Sequence, residues 1–145
     1  MKISTKGRYA LRMLLDLSEH VEEGFVPLKE IAERQGISKK YLEQIVGIMN
    51  QSGVLRTTRG YQGGYMLAKP PEEYTVGEIL RITEGNLCPV TCLEGDPAYC
   101  ARSSTCKTLA VWQGLNSLVN DYLDGITLKD IMDGGCSEVP DNYSI

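Results

Sequence analysis

Residues 27–53, PLKEIAERQGISKKYLEQIVGIMNQSG, constrain the fold more than any other stretch of the chain. Two helical patterns meet there across only three residues, Gly36-Ile37-Ser38. Pro27 suits the first turn of a helix running to Gln35, and Gly36 suits the left-handed position after its last residue. Ser38 suits an N-cap, beyond which Leu42, Ile45, Val46 and Met49 fall at the i, i+3, i+4, i+7 spacing of one helical face. Ile31, Ala32, Ile37, Leu42 and Ile45 are placed to hold the two helices at an angle, so the spacing predicts a helix-turn-helix.

The apolar period changes immediately afterwards. Residues 54–69, VLRTTRGYQGGYMLAK, set the β-formers Val54, Leu55, Thr57, Thr58 and Tyr65 around a reversal at Gly60, Gly63 and Gly64, which predicts a β-hairpin. A hairpin directly behind a helix-turn-helix makes a winged helix. Upstream, Tyr9, Leu11, Met13, Leu14, Leu17 and Val21 give an amphipathic helix from Ser4 to Val21, ended by Gly24. Downstream, Thr75-Val-Gly-Glu78 reads as a capping-box start for a helix ending near Gly85, and Thr127-Leu-Lys-Asp130 as the start of a last short helix.

Between those two, residues 104–123 predict a long helix whose apolar residues cover more than one stripe, with Gly125 as its cap. Such a helix needs two surfaces, its own domain and a partner chain. The expected fold is thus mainly α with a small β-hairpin: a winged helix-turn-helix DNA-binding domain over 1–71, a linking helix and cysteine-rich loop over 72–107, and a long C-terminal dimerisation helix with its tail over 108–145.

Charge supports the division of labour. The net charge of −4 hides a basic front and an acidic back: residues 1–70 carry eleven Lys/Arg against seven Asp/Glu, and residues 71–145 carry four against twelve. Arg12, Asp16 and Glu19 interrupt the apolar run near the N-terminus, so neither a signal peptide nor a membrane span is expected there. A cytoplasmic location follows as the expectation, with no membrane partner. No His–Asp pair, phosphate-cradling loop or paired carboxylates stand out, so an enzyme is not expected.

In a winged helix the second helix of the helix-turn-helix enters the major groove. Its candidate contacts are Ser38, Lys39, Lys40, Tyr41, Glu43 and Gln44. Lysines neutralise phosphates, glutamine pairs bidentately with adenine, and glutamate accepts from the cytosine amino group. Arg56, Arg59, Gly60 and Tyr61 belong to the wing, where arginine suits a minor groove, and Lys6 lies on the first helix.

The chain opening MKISTKGRYALRMLLDL, the segment ISKKYLEQIV and the wing RGYQGGYMLAKP resemble the Rrf-two family of bacterial winged-helix regulators, and the likeness extends to the ITLKDIM end. That resemblance implies a homodimer with paired long helices that reads a pseudo-palindromic operator in double-stranded DNA. It also bears on the segment CPVTCLEGDPAYCARSSTC, which holds four of the five cysteines. Clustered thiols in a reducing compartment favour metal or redox chemistry over structural disulfides. Zinc is usually held by thiol pairs two to four residues apart, a spacing that only Cys88 and Cys92 meet; a thiol switch needs no metal.

The resemblance implies instead an iron–sulfur cluster, 2Fe–2S, on Cys92, Cys100 and Cys106, a group that oxygen removes during handling. For a fourth ligand, IscR-like members have a histidine where this chain has Leu109, and NsrR-like members an acidic residue where it has Arg8. Cys88 is then the candidate, with His20 and Cys136 outside the set. CymR-like members lack the cluster cysteines and respond through an enzyme of cysteine synthesis. Three readings stay open: a cluster-sensing regulator, a CymR-like repressor of sulfur metabolism without a cluster, and a thiol or zinc redox protein whose helix-turn-helix is only scaffold.

Overall fold

Ser4 begins the first helix, its hydroxyl accepting from the Gly7 N–H so that α1 (Thr5–Glu19) starts with one of its unpaired donors satisfied. The computed structural model describes residues 1–95 and 100–137. α1 buries Ala10, Met13, Leu14 and Leu17 as a single stripe. It ends two residues earlier than its apolar pattern predicts, because the chain tightens into a 3₁₀ turn at Val21–Glu23 and leaves Val21 exposed.

α2 (Leu28–Gln35) and α3 (Lys39–Gln51) form the helix-turn-helix. Gly36 sits at φ +63, the left-handed region that a side chain would strain, and its N–H closes α2 on Ala32 O. Pro27 caps α2 from outside rather than opening its first turn. Ser38 caps α3 by accepting from the Tyr41 N–H at 3.2 Å. Ile31, Ile37, Leu42, Ile45 and Met49 are buried between the two helices and α1.

The wing pairs β1 (Leu55–Thr58) antiparallel with β2 (Gly64–Leu67), Leu55 opposite Leu67 and Thr58 opposite Gly64. An isolated bridge between Val26 and Tyr65 stitches the hairpin to the segment before α2. A Cβ on Gly64 would lie 2.5 Å from the Val26 carbonyl, so this junction closes only over glycine. Tyr74, buried, donates its hydroxyl to Val54 O at 3.1 Å and fixes the far end of the wing.

α4 (Val76–Glu84) follows, with Thr75 accepting from the Glu78 N–H. α5 (Leu109–Asp124) and α6 (Leu128–Met132) complete the fold. The reciprocal capping box is found at Thr127 and Asp130. Thr75 bridges to Thr127, with Val76 N–H on Ile126 O at 2.9 Å and Leu128 N–H on Tyr74 O at 3.0 Å. α6 is thereby brought back against α1, and Leu128 joins the main core. A second, smaller cluster of Val76, Leu80 and Leu87 receives Ile3, Leu11, Leu123, Ile126 and Ile131.

The long helix begins at Leu109 rather than at Ser104. Residues 101–105 instead make tight turns, Ser103 N–H bonding Cys100 O and Thr105 N–H bonding Arg102 O. Gly125 caps α5 at φ −81, without a left-handed turn. No α5 residue is buried: Val111, Leu115, Leu118 and Tyr122 form an exposed apolar stripe at i, i+4, i+7, i+11. Among the described residues no helix is long and apolar enough to cross a membrane.

Candidate nucleic-acid interface and cysteine loop

The N-terminus of α3 and the tip of the wing face each other across a groove lined by Pro27, Lys29, Lys39, Glu43, Thr58 and Arg59. The wing is held beside α3 by Thr57 Oγ1 donating to Asn50 Oδ1 at 3.0 Å. Lys39, Lys40, Glu43 and Gln44 are exposed on α3, and Ser38 is exposed at its start. Lys39 approaches Glu43 at 3.9 Å, one helical turn away. Both stay largely solvated, so this pair is easily exchanged for another partner.

Arg56 is exposed on β1, and Arg59, Gly60 and Tyr61 are exposed around the hairpin tip. Gly60 takes φ +104 and its carbonyl receives the Gly63 N–H at 2.9 Å, which turns the tip. Lys6 is half-buried on α1. Tyr41 sits inward of its predicted neighbours: its ring meets Tyr9 edge to face, centroids 5.6 Å apart, and packs on the main core. Lys29 is a groove residue that sequence reasoning did not select, since only the folded α2 turns it toward the wing.

A polar tie with no sequence signal joins α1 to the end of α2. Asp16 is buried on α1 and accepts from Arg34 through both carboxylate oxygens, at 2.7 and 3.1 Å, and from Gln35 Nε2 at 2.9 Å. Arg12 donates to the Gln35 carbonyl and, at 3.2 Å, to its side-chain oxygen. His20 adds a ring-nitrogen bond to Asp16 O at 2.7 Å. Burial works to raise the Asp16 carboxyl, but the bonds from Arg34 and Gln35 outweigh it and hold the group below its ordinary value. The last turn of α2 is thus tied to α1, and the helix-turn-helix is set as a unit.

The cysteine loop joins α4 to α5. Cys88 donates its thiol to Leu93 O at 3.4 Å, and Cys92 is exposed on the 3₁₀ turn Thr91–Leu93. Cys100 and Cys106 are half-buried, and all five cysteines are unpaired thiols. Cys106 lies just before α5, and its thiol is drawn down from its ordinary value by the Thr108 hydroxyl first, then by the backbone N–H of Thr108, the N–H of Leu109 and the charge of Arg102. These are the free donors of a helix start, which favour thiolate. As a donor set the four thiols suit a soft iron–sulfur group. Among the described residues, however, no three Cys, His, Asp or Glu come together as a metal site.

The family model that matches residues 3–134 is Rrf2, iron-dependent transcriptional regulator. The HTH-type transcriptional regulator IscR of Aliivibrio salmonicida is 38% identical over 148 residues, covering 100% of this chain and 86% of the relative. Among solved structures, T. potens IscR superimposes with a TM-score of 0.72 at 35% identity, covering 98% of this chain and 95% of that one. CymR, the global cysteine regulator of B. subtilis, superimposes with a TM-score of 0.77 at 37% identity, covering 92% and 98%. These relatives regulate transcription rather than catalyse a reaction, which replaces the reading in which the helix-turn-helix is only scaffold. With a winged helix-turn-helix, an exposed basic helix start and wing, and a match across nearly its whole length, the chain belongs to the Rrf2 family of DNA-binding transcriptional regulators.

Proposed function

We propose that the chain is a homodimeric regulator that reads a pseudo-palindromic operator and holds an iron–sulfur cluster on Cys92, Cys100 and Cys106, with Cys88 as fourth ligand. The observation that carries this reading is the placement of four thiols on the one segment between α4 and α5, ending in Cys106 at the electropositive start of α5. When bound, the cluster would supply redox-sensitive iron. What this chain's own residues supply is connection: anything that gathers Cys88 to Cys106 also fixes where α5 begins. The exposed stripe Val111, Leu115, Leu118 and Tyr122 supports pairing of α5 with the same helix of a second copy, since an isolated apolar stripe in water is costly.

On DNA, α3 would lie in the major groove with Lys39 and Lys40 on phosphates and Glu43 and Gln44 toward base edges, while Arg56, Arg59 and Tyr61 follow the backbone and the adjacent minor groove. Anaerobic purification with visible absorption and iron and sulfide analysis, beside Cys92→Ala, tests the cluster. A brown protein with near-equal iron and sulfide, bleached by the substitution, is the expected result. A protein that stays colourless after reconstitution would instead support a CymR-like repressor of sulfur metabolism without a cluster, which acts with an enzyme of cysteine synthesis. The likeness to CymR supports that second reading.

A further inference from the structure

Among the described residues, Arg81 on α4 is the side chain that grips α5 by its polar groups. It donates to both carboxylate oxygens of Asp124, at 2.7 and 2.8 Å, and through the same Nη2 to Asn120 Oδ1 at 2.5 Å. The fork-on-carboxylate arrangement fixes direction as well as distance, which a lysine in its place would not. Asn120 is itself held by the Asn116 carbonyl at 2.8 Å, one turn back along α5. The clasp lies over Gly77: a Cβ there would stand 2.0 Å from Asp124 Oδ1 and 3.1 Å from Arg81 Nη1. Gly77 is buried and helical, so the missing side chain makes room for the carboxylate rather than for a turn.

The apolar contact of α5 with the buried clusters is made at the same end. Of its side chains, Leu123 alone reaches a buried cluster among the described residues, and it neighbours Asp124. The helix is therefore oriented near its C-terminus by Arg81, Leu123 and the Thr75–Thr127 bridge, while its N-terminus continues into the cysteine loop. Arg81 and Asp124 are each more than a third exposed, so their pairing contributes little to holding the fold together. Direction is what the fork adds.

We propose that Arg81, Asp124 and Asn120, seated over Gly77, set the angle at which the dimer helix leaves the DNA-reading head, and so determine the half-site spacing that the dimer accepts. These are positioning residues, distant from the groove. The inference rests on the dimeric operator-binding reading above. In a dimer joined through α5, a change in this angle moves the two α3 helices relative to each other, and half-site separation is matched to that distance.

The test uses full-length protein and a duplex selected by the wild type from a randomised pool. Its half-sites are then moved apart or together by one and two base pairs. Wild type is expected to prefer one spacing by about fivefold or more, the lower end of coupling between two sites. Arg81→Ala and Gly77→Ala are expected to level that preference to within about twofold, with unchanged affinity for a single half-site and unchanged dimerisation by sedimentation. Gly77→Ala guards against a folding artefact, because alanine favours the helix while displacing only the mobile end of Asp124. Variants that stay dimeric and keep the wild-type ranking of spacings would overturn the proposal. A wild type that is monomeric, or that selects only single half-sites, would instead remove the dimer reading on which it stands.

Discussion

Among the described residues, Asp16 is the one charged residue that is buried. Its carboxylate has Arg34 and Gln35 of α2 as its hydrogen-bond donors and the His20 ring 3.6 Å from one oxygen, so Asp16→Ala should cost about 2–3 kcal/mol, below the usual loss for a fully buried pair because Arg34 is one-third exposed. Urea denaturation of the variant measures it. The same group sets an acid limit. Its folded pKa lies below its unfolded value, so its stabilisation is fully present above the unfolded range near about 4 and is lost as pH falls through the folded value. Urea midpoints should therefore fall below about pH 4 in the wild type, and less steeply in Asp16→Asn. Gly64 is a second residue with little latitude: Gly64→Ala should push the wing off the Val26 carbonyl, lowering both melting temperature and DNA affinity.

Among the elements, α3 and the wing make predictions that separate positioning from reading. Lys40→Ala should weaken binding to all sequences alike and reduce the salt slope by about one, whereas Gln44→Ala should relax preference at a single base position with the slope unchanged. Fluorescence anisotropy across a salt series distinguishes the two. The elements themselves were largely legible because their signals are local: Ser4, Ser38 and Thr127 cap helices that begin beside them, and Gly36 terminates α2 through its own backbone. What sequence reasoning missed depends on distance along the chain. Tyr41 looks outward on a helical wheel, yet Tyr9, thirty-two positions earlier, gives it an inward partner. Asp16 reads as an interruption of an apolar stripe until Arg34 is beside it, and Arg81 has no visible purpose until Asp124 arrives 43 residues later. The start of α5 shifted for the opposite reason. Residues 104–108 read Ser-Thr-Cys-Lys-Thr, with no apolar spacing to mark the boundary, and the turns that follow Cys100 claim that backbone first.

For the whole molecule, the exposed stripe on α5 should govern assembly: Leu118→Asp is expected to turn a dimer into a monomer by sedimentation, with the melting temperature of the isolated fold little changed, because Leu118 is 66% exposed. The Thr75–Thr127 bridge has a broader consequence. It staples the chain together between Thr75 and Thr127, just before Leu128 joins the core that α1 began. A segment whose two ends are fastened side by side behaves as a cassette. Beyond α4, whose Ile79 belongs to the main core and whose Glu84 accepts from Ser4, its contents can lengthen, shorten or exchange chemistry while the reading head keeps its shape, so one inherited way of holding DNA can be wired to many different detectors.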